Sequence, residues 1–477
     1  MRKVSVKKNV VLNVCRQACN ILFPLVTYPY ISRILGNSAY GMYSFADSVV
    51  SYFVLIAGLG ITTYSVREGS RIRDNKSLIN GLVSELFSIN IIFTFVAYFI
   101  LIILSIFNAR LNQDATLIMI RSLVIVLMTI GVDWVNNIFE DFYYITIRYI
   151  VIQIISIILM ICFVHSPKDV VIYTAIMVFS SAGGNLLNMF YIRRYVKIRF
   201  TWRGFAKHMR SLLVFFANNV AITIYVNSDI TMLGFYLEDK DVGVYSLASK
   251  VYHLIKLMIN AIVVVMIPRL SHAIHDKGKY EKYLLVIGRG LVLVTLPLVA
   301  VTFSLSSQII YVVGGNEFIV GKKALSILAF AIISAIGGSF FSNCILIENK
   351  GENRILIATA IAAGINVLMN IILIPILGIC GAAITTLIAE TLACVIEGSG
   401  TKKYIDIRKL WHNDILMCIW GSVVIGAICF GVRYIISHNI LCIIVSMLIS
   451  IPVYVFINIK SEIMQLFISE SLKTIRR

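Results

Sequence analysis

Long apolar runs separated by short polar connections fill the chain from about residue 10 to residue 459. The apolar residues do not keep to one face, and each run approaches the roughly 20 helical residues that cross a hydrocarbon core about 30 Å thick. The pattern therefore predicts membrane-spanning helices throughout. We predict fourteen spans, near residues 10–31, 42–66, 79–106, 115–138, 149–164, 170–191, 211–236, 243–267, 284–304, 323–346, 355–376, 380–398, 415–436 and 440–459.

Composition agrees with this pattern and argues against a soluble enzyme. Of the 477 residues, 59% are hydrophobic and 14% are charged, whereas soluble domains carry about 45–50% apolar and about 25% charged residues. Fourteen spans with short connections leave no stretch for a soluble catalytic domain. The predicted fold class is therefore an all-α integral membrane protein, and we expect it not to be an enzyme.

The basic excess follows the predicted topology. The chain has 42 Lys and Arg residues and a net charge of +18. An even number of spans places both ends on one side of the membrane; thirty of the basic residues fall in connections on that side and seven on the other. Cytoplasmic connections of membrane proteins carry the excess of Lys and Arg. Both termini are therefore predicted to be cytoplasmic, and no nucleic-acid partner is needed to explain the charge.

Two short segments of the chain repeat each other. Gly41-Met42-Tyr43-Ser44-Phe45-Ala46 matches Gly243-Val244-Tyr245-Ser246-Leu247-Ala248 at an offset of 202. Each opens a span after a short external loop, and many transporters are built from duplicated halves. We therefore predict an N-terminal lobe (1–192), a basic cytoplasmic connecting loop (193–210), a C-terminal lobe (211–398), two additional spans (399–459) and a cytoplasmic amphipathic tail (460–477).

Motifs of soluble catalysis are missing from the sequence. The segment 315–323 comes nearest to a phosphate-binding loop, but five residues separate its glycines where four are needed, and Lys323 stands where Ser or Thr would bind magnesium. The seven histidines do not cluster, and no His-Glu-x-x-His motif occurs. The sequence therefore predicts no metal site and no cofactor.

Ten ionisable side chains fall inside the predicted spans, where charge costs enough to indicate function. Two interpretations stay open for them. In the first, each side chain pairs with a neighbour or extends to the nearer membrane interface; in the second, the side chains line a polar cavity. Arg16, Gln17 and Asn20 lie on one face of the first span, which favours a cavity. The cations are Arg16, Arg121, Lys250, Lys256 and Arg289, and the carboxylates are Asp47, Glu85, Asp133, Asp229 and Glu390.

These positions give the predicted binding residues and hinges. Pro24 and Pro29 in the first span and Pro297 in the ninth each remove a helix hydrogen bond, so we expect these spans to bend as the cavity changes its open side. The basic residues of 193–210 fit the charge rule for cytoplasmic loops, with lipid-headgroup or partner binding as the alternative. The predicted substrate-contacting residues are Arg16, Gln17, Asn20, Arg121, Lys250, Lys256 and Arg289.

Four sequence blocks occur in a characteristic order. They are Pro24 with Tyr30-Ile31-Ser32-Arg33-Ile34-Leu35-Gly36 and Gly41-x-Tyr43-Ser44; Asp133-Trp134 through Glu140 to Ile145-Thr146-x-Arg148; Val242-Gly243-x-Tyr245-Ser246-x-Ala248-x-Lys250 ending in Pro268-Arg269-Leu270-Ser271; and Asn366-x3-Asn370-x4-Pro375-x2-Gly378-x2-Gly381-Ala382-Ala383 through Glu390. With these blocks the chain resembles the polysaccharide flippases of the multidrug/oligosaccharidyl-lipid/polysaccharide exporter superfamily.

The resemblance implies a MATE-like fold with two six-helix lobes around a central cavity, and alternating access. It implies translocation of polyprenyl-pyrophosphate-linked oligosaccharide repeat units from the cytoplasmic to the external leaflet of the bacterial cytoplasmic membrane. The implied partners are that substrate, membrane lipids, and a polysaccharide polymerase with its chain-length machinery. The candidates for family-motif or coupling roles are Asp47, Asp133, Trp134, Glu140, Arg148, Asp229, Asn366, Asn370 and Glu390.

Three alternatives remain: a flippase for peptidoglycan lipid precursors, a drug or cation antiporter of the same superfamily, and a non-transporting scaffold for polysaccharide assembly. Moving a pyrophosphate head group through hydrocarbon is costly, and a cleft lined with Arg and Lys lowers that barrier. Cationic positions deep in the first and eighth spans argue against a drug antiporter. A scaffold would not need buried charge on several spans.

Overall fold

The computed structural model describes the backbone of residues 6–406, 413–459, 461, 464 and 465, and their side chains from position 18 onward except at 268, 413 and 414. Helices dominate these ranges, and no strand occurs in them. The α-helices are α1 Val6–Gly58, α2 Ile61–Ile72, α3 Lys76–Phe107, α4 Ala109–Gln113, α5 Ala115–Gly131, α6 Trp134–Ile138, α7 Phe142–Phe163, α8 Val170–Val178, α9 Gly184–Tyr191, α10 Phe205–Tyr236, α11 Asp239–Ala273, α12 Lys277–Ser304, α13 Ser306–Gly314, α14 Lys322–Ser339, α15 Glu352–Leu377, α16 Ile379–Thr401, α17 Asn413–Ile435 and α18 Asn439–Asn458.

Each predicted span falls on helix, and the all-α membrane class is confirmed. Twelve helical segments of the described chain are long and apolar enough to cross a membrane. The count of fourteen spans is not confirmed, because α1 runs through the first predicted span and most of the second, and α5 has only 17 residues. The short helix α13 lies in what was predicted as a plain external loop. The predicted amphipathic tail lies almost wholly outside the described residues.

Side-chain caps fix where several helices begin. The Asn75 side chain accepts hydrogen bonds from the backbone N–H groups of Ser77 and Leu78 at the start of α3. Asp276 caps α12 in the same way, accepting from the N–H of Lys279. Such caps satisfy backbone donors that have no partner within the helix, and each stabilises its helix by about 1 kcal/mol.

The described chain forms two compact units, the first ending at Gly243 and the second beginning at Val244. In the first unit, α1 packs on α3, α5, α7 and α10. In the second unit, α14 and α15 both pack on α16, and α12 packs on α14 and α17. The predicted lobe boundaries at 192 and 211 stay predictions.

The two repeated glycines lie where α1 crosses the beginning of α11. A Cβ atom on Gly41 would lie 1.8 Å from the carbonyl oxygen of Asp239, and one on Gly243 would lie 1.9 Å from that of Asn37. Gly36, five residues earlier on α1, has φ of 71°, a left-handed conformation that favours glycine. Absence of a side chain therefore lets the two backbones touch at this crossing.

The backbone break inside α1 lies at Gly36, and the two predicted hinge prolines of that helix, Pro24 and Pro29, sit within its helical part. Pro297 lies inside α12. Each proline leaves one carbonyl without its helical N–H partner, which weakens the helix locally. Their predicted role as hinges stays a prediction.

Small residues allow close packing around α16. Gly337 and Gly338 on α14 face Cys394 on α16, and a Cβ atom on Gly338 would lie 3.6 Å from the Cα atom of Cys394. In lipid, where apolar surface gains little by leaving its solvent, such close van der Waals contact holds helices together. This packing fixes the helix that carries Glu390.

Candidate functional site

The first unit contains a partly open cavity of about 330 Å³. This volume is at the lower end of ligand pockets, which span about 300–1,000 Å³. The cavity lies among the later part of α1, the start of α2, and α3, α5 and α10. Its lining consists of Ser51, Val54, Leu55, Ala57, Gly58, Gly60, Ile61, Thr62, Asn90, Ile125, Met128, Thr129, Trp134, Asn219, Ile222 and Thr223.

All of these lining residues are uncharged, and six carry a hydroxyl or a side-chain amide. The Asn90 amide donates to the carbonyl of Ala57 (2.7 Å), and the Thr129 hydroxyl bonds to that of Thr94 (2.7 Å). The predicted motif residue Trp134 adds a mostly buried indole ring. The lining thus offers neutral donors and acceptors to a polar ligand and no carboxylate to pair with a cation.

An ion pair crosses the first unit from α1 to α5. Arg121 donates from Nε to Asp47 Oδ1 (2.6 Å) and from Nη1 to the Ser181 hydroxyl (3.0 Å). Ser181 lies in the π-helical turn Phe179–Gly183, a local widening that often marks functional sites. The structure thus joins two separately predicted residues, Asp47 and Arg121, and adds Ser181, which sequence reasoning missed.

The second unit holds the opposite arrangement, with a carboxylate at the centre. Glu390 on α16 accepts hydrogen bonds at Oε1 from Lys256 Nζ (2.6 Å) and from the Tyr252 hydroxyl (2.7 Å), both on α11. Tyr252 and Lys256 stand one helical turn apart, so both reach the same oxygen. The sequence predicted Lys256 and Glu390 separately and did not predict Tyr252. A search for aromatic hydroxyls four residues from a buried cation would have found it.

The motif residues Asp133 and Arg148 contact each other, as an ion pair between the start of α6 and α7. Beside them the Asn136 amide donates to Asn188 (2.6 Å), and Asn188 donates to the carbonyl of Gly131 (2.6 Å). Asn136 also donates to Asp133 (3.4 Å), so the ion pair belongs to a polar cluster that joins α5, α6, α7 and α9.

Glu140, the third charged residue of this motif, lies elsewhere on the surface. It pairs with Arg73 at 2.6 Å and is about half exposed. Its φ of 55° places it in a left-handed turn before α7. The structure therefore gives Glu140 a position in the connection between α6 and α7, apart from the Asp133 and Arg148 pair.

Asn366 and Asn370 are buried on α15 and bond to each other and to α16. Asn370 donates to Asn366 (3.1 Å), and the Thr385 hydroxyl donates to Asn370 (2.6 Å). Buried amides need such partners, because a lost hydrogen bond inside a membrane protein has no water to replace it. This network fixes α15 against α16.

The remaining predicted residues are spread over several helices. Asn20, Lys250 and Arg289 are half-buried, and Asp229 is buried on α10. Arg16 and Gln17 lie outside the residues whose side chains are described. The structure therefore brings together three predicted pairs across helices: Asp47 with Arg121, Asp133 with Arg148, and Lys256 with Glu390. The single cationic cavity stays a prediction.

Sequence reasoning also missed a buried histidine. His208, at the start of α10, bonds through Nδ1 to the Tyr64 hydroxyl and through Nε2 to Glu85, each at 2.7 Å. Glu85 was among the charges predicted within spans, but the prediction for the segment 193–210 concerned its Lys and Arg residues and gave His208 no role. No pattern in the sequence separates His208 from its exposed neighbours.

Metal ligands are not clustered in the part of the chain with described side chains: no group of three or more His, Cys, Asp or Glu residues there could hold an ion. Several ionisable side chains of the described chain form ion pairs, among them Arg121 with Asp47 and Lys256 with Glu390. The residues that line the cavity carry no charge and offer hydrogen-bonding groups to a polar ligand.

Residues 6–274 match the family described as "Polysaccharide biosynthesis protein". The chain belongs to this family. It is 22% identical over 276 residues to a protein named "Putative O-antigen transporter" from Escherichia coli K12, covering 56% of this chain and 66% of that protein. It is 25% identical over 240 residues to "Probable low-salt glycan biosynthesis flippase Agl15" from Haloferax volcanii, covering 49% of this chain and 50% of that protein. These matches thus span between half and two thirds of the relatives' lengths.

Solved structures show the same fold over most of the chain. The "Lipid II flippase MurJ, inward closed conformation" matches with a TM-score of 0.73 at 17% identity, covering 94% of this chain and 98% of that one. An inward-facing "multidrug resistance MATE family transporter of the MOP superfamily" matches with a TM-score of 0.58 at 14% identity, covering 80% and 97%. The predicted MATE-like fold class and the predicted family are confirmed.

Proposed function

We propose that this protein is a flippase that moves polyprenyl-pyrophosphate-linked oligosaccharide repeat units from the cytoplasmic to the external leaflet by alternating access. One observation carries the proposal: a chain of the polysaccharide biosynthesis family has the fold of a lipid-linked precursor flippase over 94% of its length. The names of the relatives, a transporter for O-antigen and a flippase for glycan biosynthesis, point to the same substrate class.

The neutral cavity of the first unit supports a glycan as part of the substrate. Sugar hydroxyls both donate and accept hydrogen bonds, as do the Ser, Thr and Asn side chains of the lining. A drug or cation antiporter would be expected to place carboxylates in such a cavity. The lining therefore favours the glycan carrier over that alternative.

The head group of the substrate is anionic, and we assign its contacts to the predicted cations Arg16, Arg121, Lys250, Lys256 and Arg289, with Gln17 and Asn20. Arg121 and Lys256 each contact a carboxylate, so a pyrophosphate would compete with Asp47 or Glu390 for them. Protonation of Glu390 would weaken its hold on Lys256 and release the ammonium for phosphate. This exchange would couple substrate binding to a proton.

The location and partners are part of the same proposal. The distribution of Lys and Arg supports cytoplasmic termini, and the O-antigen relative supports the bacterial cytoplasmic membrane. The substrate must be delivered by glycosyl transfer to a lipid phosphate, and its product must be consumed by polymerisation or transfer of the glycan. A polymerase and its chain-length machinery are therefore the expected partners.

Growth and glycan complementation test the proposal against its nearest rival. The match to the lipid II flippase specifically favours a peptidoglycan-precursor carrier as second candidate. The chain should restore surface glycan in a strain lacking its O-antigen-type flippase and should not restore growth in one lacking its lipid II flippase. The reverse pattern would select the second candidate. Failure of both, with the protein inserted in the membrane, would contradict transport of either substrate.

A further inference from the structure

The connection between α9 and α10 is an extended segment fixed along α3. Three alternate backbone N–H groups donate to three α3 side chains spaced one turn apart. Two extended residues advance about 6.6 Å and four helical residues about 6.0 Å, so the two repeats stay in register. The bonds join Lys197 to Asn80 (2.9 Å), Arg199 to Ser84 (3.1 Å) and Thr201 to Ser88 (2.9 Å).

The length of α3 sets the height of this segment relative to the membrane. α3 has 32 residues, which is more than the roughly 20 needed to cross the hydrocarbon core. Twenty residues counted back from Phe107 reach Ser88, and the last charged residue of α3 is Glu85. Thr201, bonded to Ser88, therefore lies where hydrocarbon gives way to headgroups.

Exposed aromatic and basic side chains share this level. Trp202 is 72% exposed and Phe200 is 51% exposed, with their ring centroids 5.4 Å apart. Lys197, Arg199 and Arg203 are also exposed. Residues 193–210 contain seven Lys and Arg residues and no Asp or Glu. We call Lys197, Arg199, Phe200, Trp202 and Arg203 the connecting-segment surface.

An excess of Lys and Arg that serves only to orient the chain in the membrane requires neither exposed aromatic rings nor a fixed backbone. Rings of this kind concentrate at the headgroup level of membranes, and basic residues there are attracted to anionic lipid. The bonds to α3 hold both kinds of side chain at that level before any ligand arrives, which reduces the entropy lost on binding.

We infer that the connecting-segment surface binds anionic phospholipid headgroups of the adjoining leaflet, with Trp202 and Phe200 inserted among them. This binding attaches the link between α9 and α10 to the membrane surface. It is independent of the transported substrate, because the charge complementarity involves exposed residues outside the cavity and outside the buried ion pairs.

Lipid retention by the full chain tests the inference directly. The purified protein is titrated with phosphatidylglycerol or phosphatidylcholine in detergent, and bound lipid is counted by native mass spectrometry. Arg199→Gln with Arg203→Gln should weaken phosphatidylglycerol binding about 30-fold and leave phosphatidylcholine unchanged. The matched control, Lys277→Gln with Lys282→Gln, removes two exposed charges from the beginning of α12 and should change little. Equal losses in both double variants would overturn the inference.

Trp202 provides a second readout that does not depend on charge removal. In nanodiscs containing brominated phosphatidylglycerol, the fluorescence difference between the native protein and Trp202→Phe reports on Trp202 alone. That component should be strongly quenched by the brominated lipid and not by an aqueous quencher. Quenching by the aqueous agent only would mean that Trp202 faces water or a protein partner, and the inference would be wrong.

Discussion

Two ion pairs, Arg121 with Asp47 in the first unit and Lys256 with Glu390 in the second, enclose opposite partners. In the first unit the guanidinium of Arg121 is the enclosed partner, and Asp47 remains 38% exposed. In the second unit the carboxylate of Glu390 is enclosed, at 8% exposure, between a lysine and a tyrosine hydroxyl. A guanidinium keeps its charge at any physiological pH, whereas a carboxylate can take up a proton. Of these two ion pairs, it is the pair in the second unit that encloses the group able to change charge.

The largest effect is expected from Glu390→Gln. This substitution leaves Lys256 partly buried without its carboxylate, a change that costs about 3–5 kcal/mol in buried pairs. Flipping of a fluorescent lipid-linked oligosaccharide in proteoliposomes should slow at least about tenfold, and the response to an imposed pH gradient should disappear. An unchanged rate under the gradient would show that protons do not act through Glu390.

Glu397 provides a matched control on the same helix. It is buried two turns after Glu390, so Glu397→Gln removes a similar carboxylate without touching the contact between Lys256 and Glu390. The gradient response should survive this change. Its loss in Glu397→Gln alone would move the proton-exchanging group and break the comparison.

A smaller effect is expected in the first unit. Arg121→Lys keeps a positive charge beside Asp47 but loses the guanidinium, whose second donor also reaches Ser181. The flipping rate should therefore fall several-fold while the response to the pH gradient is kept. Ser181→Ala removes only the hydroxyl contact, worth about 1 kcal/mol, and should fall between Arg121→Lys and the native protein. A lost gradient response in either variant would show that the two units do not differ as described.

The smallest effect on flipping is expected outside the spans, at Asp114, where the measured quantity is the stability of the folded protein. Burial, only partly offset by Arg110, raises the pKa of this carboxyl from 3.8 to about 6. Its charge therefore destabilises the folded protein above about pH 6, and the penalty fades as the pH falls through 6 toward 4. Asp114→Asn should raise the unfolding temperature at pH 7.5 and have little effect at pH 4.5.

Asp276 is the control for Asp114. The hydrogen bonds from Lys279 lower the pKa of the exposed Asp276 carboxyl, so its charge stabilises the folded protein. Asp276→Asn should not raise the unfolding temperature at pH 7.5. If both variants behave alike, burial is not the cause of the Asp114 effect.

The sequence predicted the fold well because hydropathy in lipid is a strong constraint: every backbone polar group must be satisfied within a helix. It predicted which charges are buried, such as Lys256 and Glu390, but not which of them meet. Partners such as Tyr252 and Ser181 lie on other helices or other turns, and helix rotation decides whether they contact the charge. The extended segment along α3 has no sequence signature, because Ser84 and Ser88 bond to backbone rather than to a matching side chain.

The glycine repeat shows the opposite case. The match of Gly41 with Gly243 carried no chemistry in the sequence, yet these residues mark the place where α1 and α11 touch through their backbones. A close approach requires a missing Cβ on both sides, so the requirement appears in the sequence as a repeated residue type. The repeat predicted duplicated halves and not this contact, so the steric demand was recognised only in the structure.

We propose that the chain alone moves lipid-linked oligosaccharide across a bilayer. The most direct measurement reconstitutes the purified protein in liposomes that contain a fluorescent polyprenyl-pyrophosphate-linked oligosaccharide, with label accessibility followed by an impermeant quencher. We predict that the native protein exchanges the labelled lipid between the leaflets. In vesicles that contain an equally folded Glu390→Gln protein, this exchange should be at least about tenfold slower. Exchange no faster than in protein-free vesicles, with folded native protein present, would contradict the proposed function.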